Sequence, residues 1–452
     1  MVIDKKEINR REKITKYLDM LDNKQQKYLE EMIINRLNTE EAKEFVKYSK
    51  TDNFTNQIIT AESILFQEPI VIDLMSKGGE NPIANNEDFK VLHDSLLFNA
   101  TMQEVNKKVN LTKDVAVVVQ IVDEKVELSI VTSDMLLVGE KENDPTKFEW
   151  IAYQVGKERN DDYIDLKIYH KWSKEGKFEI KINASGKIIE EILLKDAPDY
   201  GGRIPVVMFR NYIQADSFFK DFNSEVVGFN EALNYNMTRT EMERDYNLPQ
   251  KVIVGGEKDK RYSMGITFIE VFDQGMMGGD LKPSISYARP DFPIKEEMDA
   301  TTENKKQFAT SKGLSQDTIS GGDFTSGYEL LLSKTEIINL NKAQRPFYAK
   351  SIKDLIDIII LAAAITNQFI VTEEYEVSLD FGEIKYSDDP QKKASTRQTN
   401  IAIGIASRID YIMEDNPDLD RAAAEAKARQ IDKDNLKSST IGDNIPPAPA
   451  EE

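Results

Sequence analysis

The chain has 452 residues, 31% of them charged and 40% hydrophobic, and its formal net charge at pH 7 is −20. A single hydrophobic core rarely serves that length, so two or more structural units are expected. The acidic balance argues against a protein that grips nucleic acid by neutralising phosphates, because such binding draws its affinity from Lys and Arg. With no cysteine in the chain, disulfides, thiolate metal sites and cysteine nucleophiles are excluded.

The sequence contains no segment with the pattern of a signal peptide or a membrane span. The N-terminus lacks an apolar core, and the longest apolar run, Ile358–Ile365, is much shorter than the roughly 20 residues that a membrane span needs. Together with the lack of cysteine, this indicates a soluble intracellular product.

The N-terminal part of the chain has a helical pattern that gives way to β-strands. Residues 5–50 carry apolar side chains at three and four spacing among many charges, which predicts surface helices, and 56–72 predicts a buried helix that leads into a strand. From Val115 onward, β-branched and aromatic segments alternate with turn residues. The predicted strands of this part are 115–122, 126–131, 148–155, 163–172, 178–182 and 204–209.

Two helices separated by a strand-containing insert follow. The first helix is predicted to run to about Tyr246 from a stripe of apolar residues at three and four spacing. The members of the stripe are Phe218, Phe222, Val226, Phe229, Leu233 and Met237. Pro249 ends this helix, strands are predicted at 252–254 and 266–272, and a second helix covers about 293–311.

The most distinctive segment is a glycine-rich loop at 313–327. Ser326 and Glu329 have the spacing of a capping box, so the loop leads into a strong helix start, and the helical pattern continues to 367. Pro346 inside it predicts a kink. Loops of this length are usually functional or disordered. A nucleotide-binding P-loop needs a preceding strand and Gly-Lys-Ser/Thr at the helix start; both are missing here, which favours a mobile loop.

The C-terminal part predicts a strand at 375–381 and Ala-rich helices up to about 435. The Pro-rich residues 436–452 are expected to be disordered. The pattern as a whole predicts an α+β protein that is mainly helical.

We find no pattern of catalytic, cofactor-binding or metal-binding residues. His93 and His170 lack ligand-spaced partners, so they are interpreted as surface or satisfied histidines. Acidic pairs at 161–162, 373–374 and 388–389 could in principle hold Mg²⁺. Such pairs are expected by composition in a chain with 79 acidic residues, which favours solvated surface.

The succession of these elements resembles that of tailed-bacteriophage portal proteins, specifically the Gp6-like group of phages that infect Gram-positive hosts. Four short motifs carry the resemblance, and their order along residues 50–430 matters more than any one of them. They are Phe66–Ile72, Gly202–Phe209, Asp221–Met237 and Asp323–Leu332.

The resemblance implies an elongated portal-type subunit of a ring that is usually dodecameric. The implied parts are a wing (1–214), a first stem helix (215–247), a clip (248–291), a second stem helix (292–312), a channel loop (313–326), a long kinked wing helix (327–370), a helical crown (371–435) and a disordered tail (436–452).

The resemblance also implies a function without catalysis: a channel at one capsid vertex through which DNA is packaged and ejected. The implied partners are other copies of the chain, double-stranded DNA passing non-specifically, the terminase large subunit, a head-completion adaptor, and the major capsid and scaffolding proteins, with no membrane. The implied location is the virion, and the host cytoplasm during assembly. A strongly negative channel would keep the DNA backbone from adhering during passage.

Three groups of residues receive roles from the resemblance. Transient DNA contacts would come from loop residues Ser315, Gln316, Asp317, Thr318, Ser320 and Asp323. Positive points in the channel, or simply solvated lysines, would be Lys295, Lys305, Lys306 and Lys312. A docking surface on the clip, or simply a solvated hairpin tip, would be Lys258, Lys260 and Arg261.

Two other classes of function stay open on the sequence. One is an intracellular Mg²⁺-dependent phosphodiesterase that uses acidic residues, and the other is a virion structural protein without a channel.

Overall fold

The computed structural model describes the chain in two compact units. The first comprises residues 1–323 and 333–384, and the second comprises 324–332 and 385–452. The residues outside the description are 1–4, 38, 79–80, 160–164, 184, 215, 247–249, 255–268, 273–283, 289–292, 315–326, 372, 383–389, 417–418 and 442–452.

The fold is mixed α+β, as predicted. The helices are α1 (Lys5–Leu21), α2 (Gln26–Arg36), α3 (Thr39–Val46), α4 (Phe54–Glu62), α5 (Asn86–Ser95), α6 (Phe98–Thr112), α7 (Glu225–Tyr246), α8 (Ile294–Ser311), α9 (Gly327–Ile365), α10 (Pro390–Ala402), α11 (Arg408–Asp415) and α12 (Arg421–Ile441). The strands are β1 (Ile70–Ser76), β2 (Asp114–Val122), β3 (Lys125–Thr132), β4 (Leu136–Lys141), β5 (Asp144–Arg159), β6 (Asp165–Ser173), β7 (Gly176–Asn183), β8 (Ile188–Leu193), β9 (Val206–Arg210), β10 (Gln250–Val254), β11 (Ile269–Phe272), β12 (Ser284–Ala288) and β13 (Tyr375–Phe381).

The strands form four small sheets in the first unit. An antiparallel sheet has the order β3-β2-β9, and a five-stranded antiparallel meander has the order β4-β5-β6-β7-β8. Strand β1 pairs antiparallel with β13. Strand β10 pairs with β11 in parallel and with β12 in antiparallel orientation.

The largest hydrophobic core surrounds β2. Residues Val115–Val119 are all buried, as a continuous apolar run predicts for a strand covered on both faces. Helix α6 contributes Met102 and Val105 to this core, and the C-terminal half of α9 contributes Ile352 and Leu355. Helix α9 runs through Pro346, as predicted.

The second unit is helical. Helix α11 begins with a capping box in which Ser407 and Asp410 each accept the other's backbone N–H. The guanidinium of Arg397 on α10 donates two hydrogen bonds to the Asp415 carboxylate at 2.6 and 2.7 Å, which joins α10 to α11.

The predicted start of the first stem helix was wrong. The helix begins at Glu225, whereas the apolar stripe placed it at Phe218. Phe218 is buried under the Arg210 guanidinium, 4.4 Å from its ring centroid, and its carbonyl accepts hydrogen bonds from Arg210 and Gln214 at 3.2 and 2.7 Å. Phe218 therefore has the spacing of the helical stripe but makes a tertiary contact before the helix begins.

Other boundaries also differ from the predictions. Strand β13, which lies in the span predicted as crown, pairs with β1 and belongs to the first compact unit. Helix α12 continues to Ile441, beyond the predicted start of the tail at 436. Strands β4, β8 and β12 were not predicted. No helix among the described residues is long and apolar enough to cross a membrane.

Candidate functional site

Helices α7 and α8 lie side by side in antiparallel orientation, as predicted. Near one end of the pair, the Lys312 ammonium lies 2.5 Å from the Glu225 carboxylate. The rings of Phe229 and Phe308 then stack with centroids 4.3 Å apart. Toward the other end, Arg239 donates to Glu297 at 3.0 Å. Rising residue numbers on α7 meet falling numbers on α8, which fixes the antiparallel arrangement.

The apolar stripe of α7 packs into a small core that both helices share. Val226 and Leu233 of α7 are buried there together with Ala309 of α8. Phe54 and Ile58 of α4 complete the contact, so the pair is packed against the N-terminal helices.

A second face of α7 is polar and equally buried. Asn230, Asn234 and Thr238 recur at every fourth residue, and each is at most 1% exposed. They bind the backbone of the segment 50–55. Asn230 accepts from the Thr55 N–H at 2.7 Å and donates to the Asp52 carbonyl at 2.8 Å.

The same ladder continues along the helix. Asn234 accepts from the Asp52 N–H at 2.8 Å, and Thr238 accepts from the Lys50 N–H at 3.0 Å. The Asp52 carboxylate forms an ion pair with Lys305 of α8. The segment 50–55 therefore fastens both helices to the N-terminal part of the unit.

The outer side of α8 is, by contrast, open. Within α8, whose residues are all described, Ala309 alone is buried. Five exposed polar residues at three and four spacing form one line along the helix, here called the outer stripe. They are Glu296, Asp299, Glu303, Gln307 and Thr310. The stripe is acidic toward the start of α8 and uncharged toward its end, where the glycine-rich loop follows.

The four lysines predicted for the second stem helix have different environments. Lys305 is half-buried and paired with Asp52, and Lys312 is half-buried and paired with Glu225. Lys295 is exposed and Lys306 is half-buried. Two of the four ammonium groups thus serve contacts within the subunit.

Charged side chains also converge near the end of α8. Burial raises the pKa of the Glu62 carboxyl, against the opposing effect of Lys312 and Lys113. Burial lowers the pKa of Lys113, which Glu62 opposes. The Glu225 carboxylate, in contrast, has its pKa lowered by the hydrogen bond from Lys312. The pKa values of Glu62 and Glu225, two carboxyl groups near Lys312, are therefore shifted in opposite directions.

A buried ion pair joins β2 to β9 within the β3-β2-β9 sheet. Asp114 on β2 is 2% exposed and accepts from Arg210 Nε at 2.5 Å and from the Tyr212 hydroxyl at 2.9 Å. Burial, and next the Asp114 charge, raise the pKa of Tyr212. Arg210 also donates to the Phe218 carbonyl. The chain segment between β9 and α7 is therefore hydrogen-bonded to this ion pair.

The remaining predicted site residues lie outside the described residues. They are the channel-loop residues Ser315, Gln316, Asp317, Thr318, Ser320 and Asp323, and the clip residues Lys258, Lys260 and Arg261. Ser326 of the capping box lies outside as well.

His93 differs from the prediction of a surface or satisfied histidine, because it is 9% exposed and its buried Nε2 has no hydrogen-bond partner among the described residues. His170 and the described acidic pair have ordinary packing roles. His170 packs edge-on against Tyr153 with centroids 5.9 Å apart, and burial together with Lys177 lowers its pKa to about 4. Glu373 accepts from the Ala84 N–H at 3.1 Å, and Glu374 pairs with Lys77 at 2.5 Å. Across the described part of the chain, no group of three or more His, Asp or Glu is placed to hold a metal ion.

Sequence reasoning missed two features of this unit. The Asn230, Asn234, Thr238 ladder has a visible signal, since polar residues at every fourth position line one side of a helix. A groove between β9, the β4–β5 hairpin and α9 has no signal in the sequence, because its walls come from segments far apart in the chain.

Neither a family model nor a curated protein matches the chain. Among solved structures, it is similar to a chain in the virion of a native gene transfer agent particle, with 12% identity and a TM-score of 0.35 over 78% of this chain and 86% of that chain. It is also similar to a chain in the neck of an empty gene transfer agent particle determined with C6 symmetry, with 12% identity and a TM-score of 0.34 over the same shares.

Proposed function

We propose that the chain is the subunit of a phage-type portal, a ring that surrounds a channel for double-stranded DNA at one vertex of a capsid. A fold likeness at a TM-score of 0.35 carries no weight in this proposal. Its support is the succession of elements in the chain and the geometry of α7 and α8.

The observation that carries the proposal is the contrast between the two sides of the α7–α8 pair. One side is packed and hydrogen-bonded to the N-terminal helices, whereas the outer stripe of α8 is exposed along the helix. A helix that buries only Ala309 within its own subunit has most of its surface free for neighbouring copies or for a channel.

The chemistry of the outer stripe suits a channel wall that DNA passes without adhering. Carboxylates at Glu296, Asp299 and Glu303 repel phosphates, and Gln307 and Thr310 offer neutral polar contacts. Affinity for duplex DNA comes mainly from Lys and Arg that displace counterions. A ring lined by this stripe would therefore keep DNA mobile.

The order of the remaining elements fits the same proposal. The β10-β11-β12 sheet lies between α7 and α8 in the chain, where a clip would stand. The glycine-rich segment follows α8, where a channel loop would stand. In this proposal the ring docks a terminase motor, which hydrolyses ATP, and later a head-completion adaptor, and its own chain has no catalytic role.

Electron microscopy of the purified protein, with native mass spectrometry to count subunits, tests the proposal. We expect rings, most simply dodecameric, with a central hole wide enough for a DNA duplex. A monomer, or an assembly without a hole, would contradict it. DNA cleavage that requires Mg²⁺ and disappears on substitution of one Asp would instead favour a phosphodiesterase.

A second test concerns the channel loop. Shortening residues 315–323 is expected to leave the rings intact but to impair DNA packaging or retention, because the loop supplies the DNA contacts in this proposal. The ring count by native mass spectrometry serves as the control for assembly. Normal packaging by rings with the shortened loop would remove the role given to it.

A further inference from the structure

A large groove of the first unit lies apart from the α7–α8 pair. It has a volume of about 1090 Å³ and is lined by β9, the β4–β5 hairpin and the middle of α9. Its apolar lining includes Phe148, Met208 and Phe347, and at its margin Ile213 is 83% exposed. The groove therefore offers aromatic and aliphatic walls to an apolar side chain of a ligand.

The charge of the groove is opposite to that of the chain. Six basic residues line it: Lys141, Lys147, Lys174, Arg203, Arg210 and Lys350. Three acidic residues, Glu142, Glu149 and Asp354, line it as well. Basic residues thus exceed acidic ones here, whereas the whole chain carries −20.

Only some of these basic side chains form ion pairs within the unit. Arg210 is held by buried Asp114, and Lys147 pairs with Asp144 at 2.7 Å. Lys141, Lys174 and Lys350 are exposed, and no ion pair engages them among the described residues. Their ammonium groups are therefore accessible to a ligand in the groove.

One wall of the groove is the edge of a sheet. Strand β9 is the last strand in the order β3-β2-β9, so one of its edges has no strand beside it among the described residues. Ser351 Oγ, which also lines the groove, donates to the Met208 carbonyl at 2.9 Å. That carbonyl is therefore bonded to α9, and the Val206 N–H of the same strand donates to the Ile204 carbonyl at 2.8 Å. Helix α9 thus covers this edge of β9, and the groove meets a ligand through its side chains.

We propose that this groove binds an extended segment of a partner protein in which acidic and apolar side chains alternate. Its acidic side chains would meet Lys141, Lys174 and Lys350, and its apolar side chains would pack near Phe148 and Ile213. In a strand, alternate side chains point to opposite faces, so one segment can satisfy both kinds of wall.

The lining favours a peptide over nucleic acid. A phosphate backbone carries charge at every residue and would meet Glu142, Glu149 and Asp354 as well as the lysines. Aliphatic groups such as Ile204 and Met208 also have no partner on a phosphate backbone, whereas they suit Val or Ile side chains.

Fluorescence anisotropy with the full chain tests the proposal. The probe is a fluorescein-labelled peptide in which Glu and Val alternate, compared with a Glu and Ser peptide of equal charge and with a short DNA duplex. We expect the Glu and Val peptide to bind most tightly.

A matched pair of variants locates the site. Lys174→Glu combined with Lys350→Glu reverses two groove charges and should weaken peptide binding about tenfold or more. Lys125→Glu combined with Lys353→Glu makes the same charge change at exposed positions outside the groove lining, and Lys353 lies on the same helix as Lys350. This control should bind the peptide as the unmodified chain does.

Several outcomes would overturn the proposal. These are no binding of the Glu and Val peptide, equal loss of binding in both double variants, or tighter binding of the DNA duplex with the same dependence on Lys174 and Lys350. If sedimentation shows that the groove variant alone loses self-association, the occupant is a neighbouring copy of this chain and the partner proposal fails.

Discussion

Helices α7 and α8 lie against each other but have opposite relations to the rest of the unit. Helix α7 has an apolar stripe in a shared core and a polar ladder bonded to the segment 50–55. Helix α8 touches α7 on one side and exposes the outer stripe on the other. The N-terminal segment and α7 thus hold α8 on one side through contacts such as Lys305 with Asp52, and the other side of α8 is the surface available for function.

This comparison sorts substitutions into two kinds. Changes on α7 and its attachments should lower the free energy of unfolding, because they remove buried contacts. Changes on the outer stripe should leave the free energy of unfolding nearly unaltered and change how tightly the assembled protein binds duplex DNA. The predictions below follow that division, beginning with the largest expected effect.

The largest loss is expected at the buried ion pair between Asp114 on β2 and Arg210 on β9. Asp114→Ala leaves the Arg210 guanidinium without its buried partner and the Tyr212 hydroxyl without its acceptor. We expect the free energy of unfolding to fall by about 3–5 kcal/mol, measured by urea denaturation. Asp216→Ala, an exposed change in the same connecting segment, is the control and should have little effect. Similar losses for both variants would show that the buried pair has no special role in the stability of the unit.

The next largest effect is expected at the polar ladder. Asn230→Ala removes the acceptor for the Thr55 N–H and the donor to the Asp52 carbonyl, both in a buried site. Because unpaired buried polar groups are costly, we expect a loss of about 2–3 kcal/mol. The control is Asn236→Ala on the exposed side of the same helix, which should be neutral or slightly stabilising because Ala favours helix. Equal stability of the two variants would contradict a fastening role for the ladder.

The outer stripe should behave in the opposite way. Replacing Glu296, Asp299 and Glu303 together by Gln removes exposed charge, so the free energy of unfolding should change by less than about 0.5 kcal/mol. Assembled protein should then bind duplex DNA more tightly at low salt, since three sources of repulsion per subunit are gone. DNA binding is measured by filter retention at low and high salt.

A charge-matched control makes this result specific to the stripe. Replacing Glu12, Glu31 and Glu175 by Gln removes the same exposed charge elsewhere in the first unit. If this control variant retains DNA as strongly as the stripe variant, net charge alone explains the effect, and the outer stripe has no special position.

Part of this division could be predicted from the sequence. The apolar stripe predicted α7, and the antiparallel pairing with α8 followed from two helices separated by a short insert. Phe218 shows where periodicity fails, because a side chain with helical spacing packs under Arg210 before the helix begins. Strand β8 escaped prediction because Ile188-Ile-Glu-Glu-Ile-Leu193 has no alternation of apolar and polar residues.

Only the spacing of the polar ladder, and not its partners, could be predicted from the sequence. The spacing of Asn230, Asn234 and Thr238 is visible in the sequence, but their partners lie 175 or more residues earlier in the chain. Periodicity describes one element at a time, and contacts between distant segments depend on how the elements pack. For the same reason the basic groove could not be predicted, because β9, the β4–β5 hairpin and α9 meet only in the folded unit.

The smallest predicted effect concerns pH, at the end of the pair where Lys312 joins α8 to Glu225. The pKa of Glu62 is raised in the folded protein, chiefly by burial, so the folded state binds more protons than the unfolded state above the ordinary pKa of 4.5. Stability therefore falls as pH rises through that window. Glu62→Gln should remove this loss and be the more stable protein near neutral pH, with the difference shrinking toward pH 4.

The contribution of Glu225 to stability depends on pH with the opposite sign, so Glu225 serves as the matched comparison for Glu62. Its pKa is lowered by Lys312, so its contribution to stability is present above pH 4.5 and is lost as pH falls below that value. Glu225→Gln should therefore be less stable than the unmodified chain near neutral pH and should approach it in acid. Urea denaturation of both variants from about pH 2.5 to 7 measures the two slopes. Slopes of the same sign would mean that Lys312 pairs with Glu62 instead of Glu225, and that burial does not dominate at the end of α8.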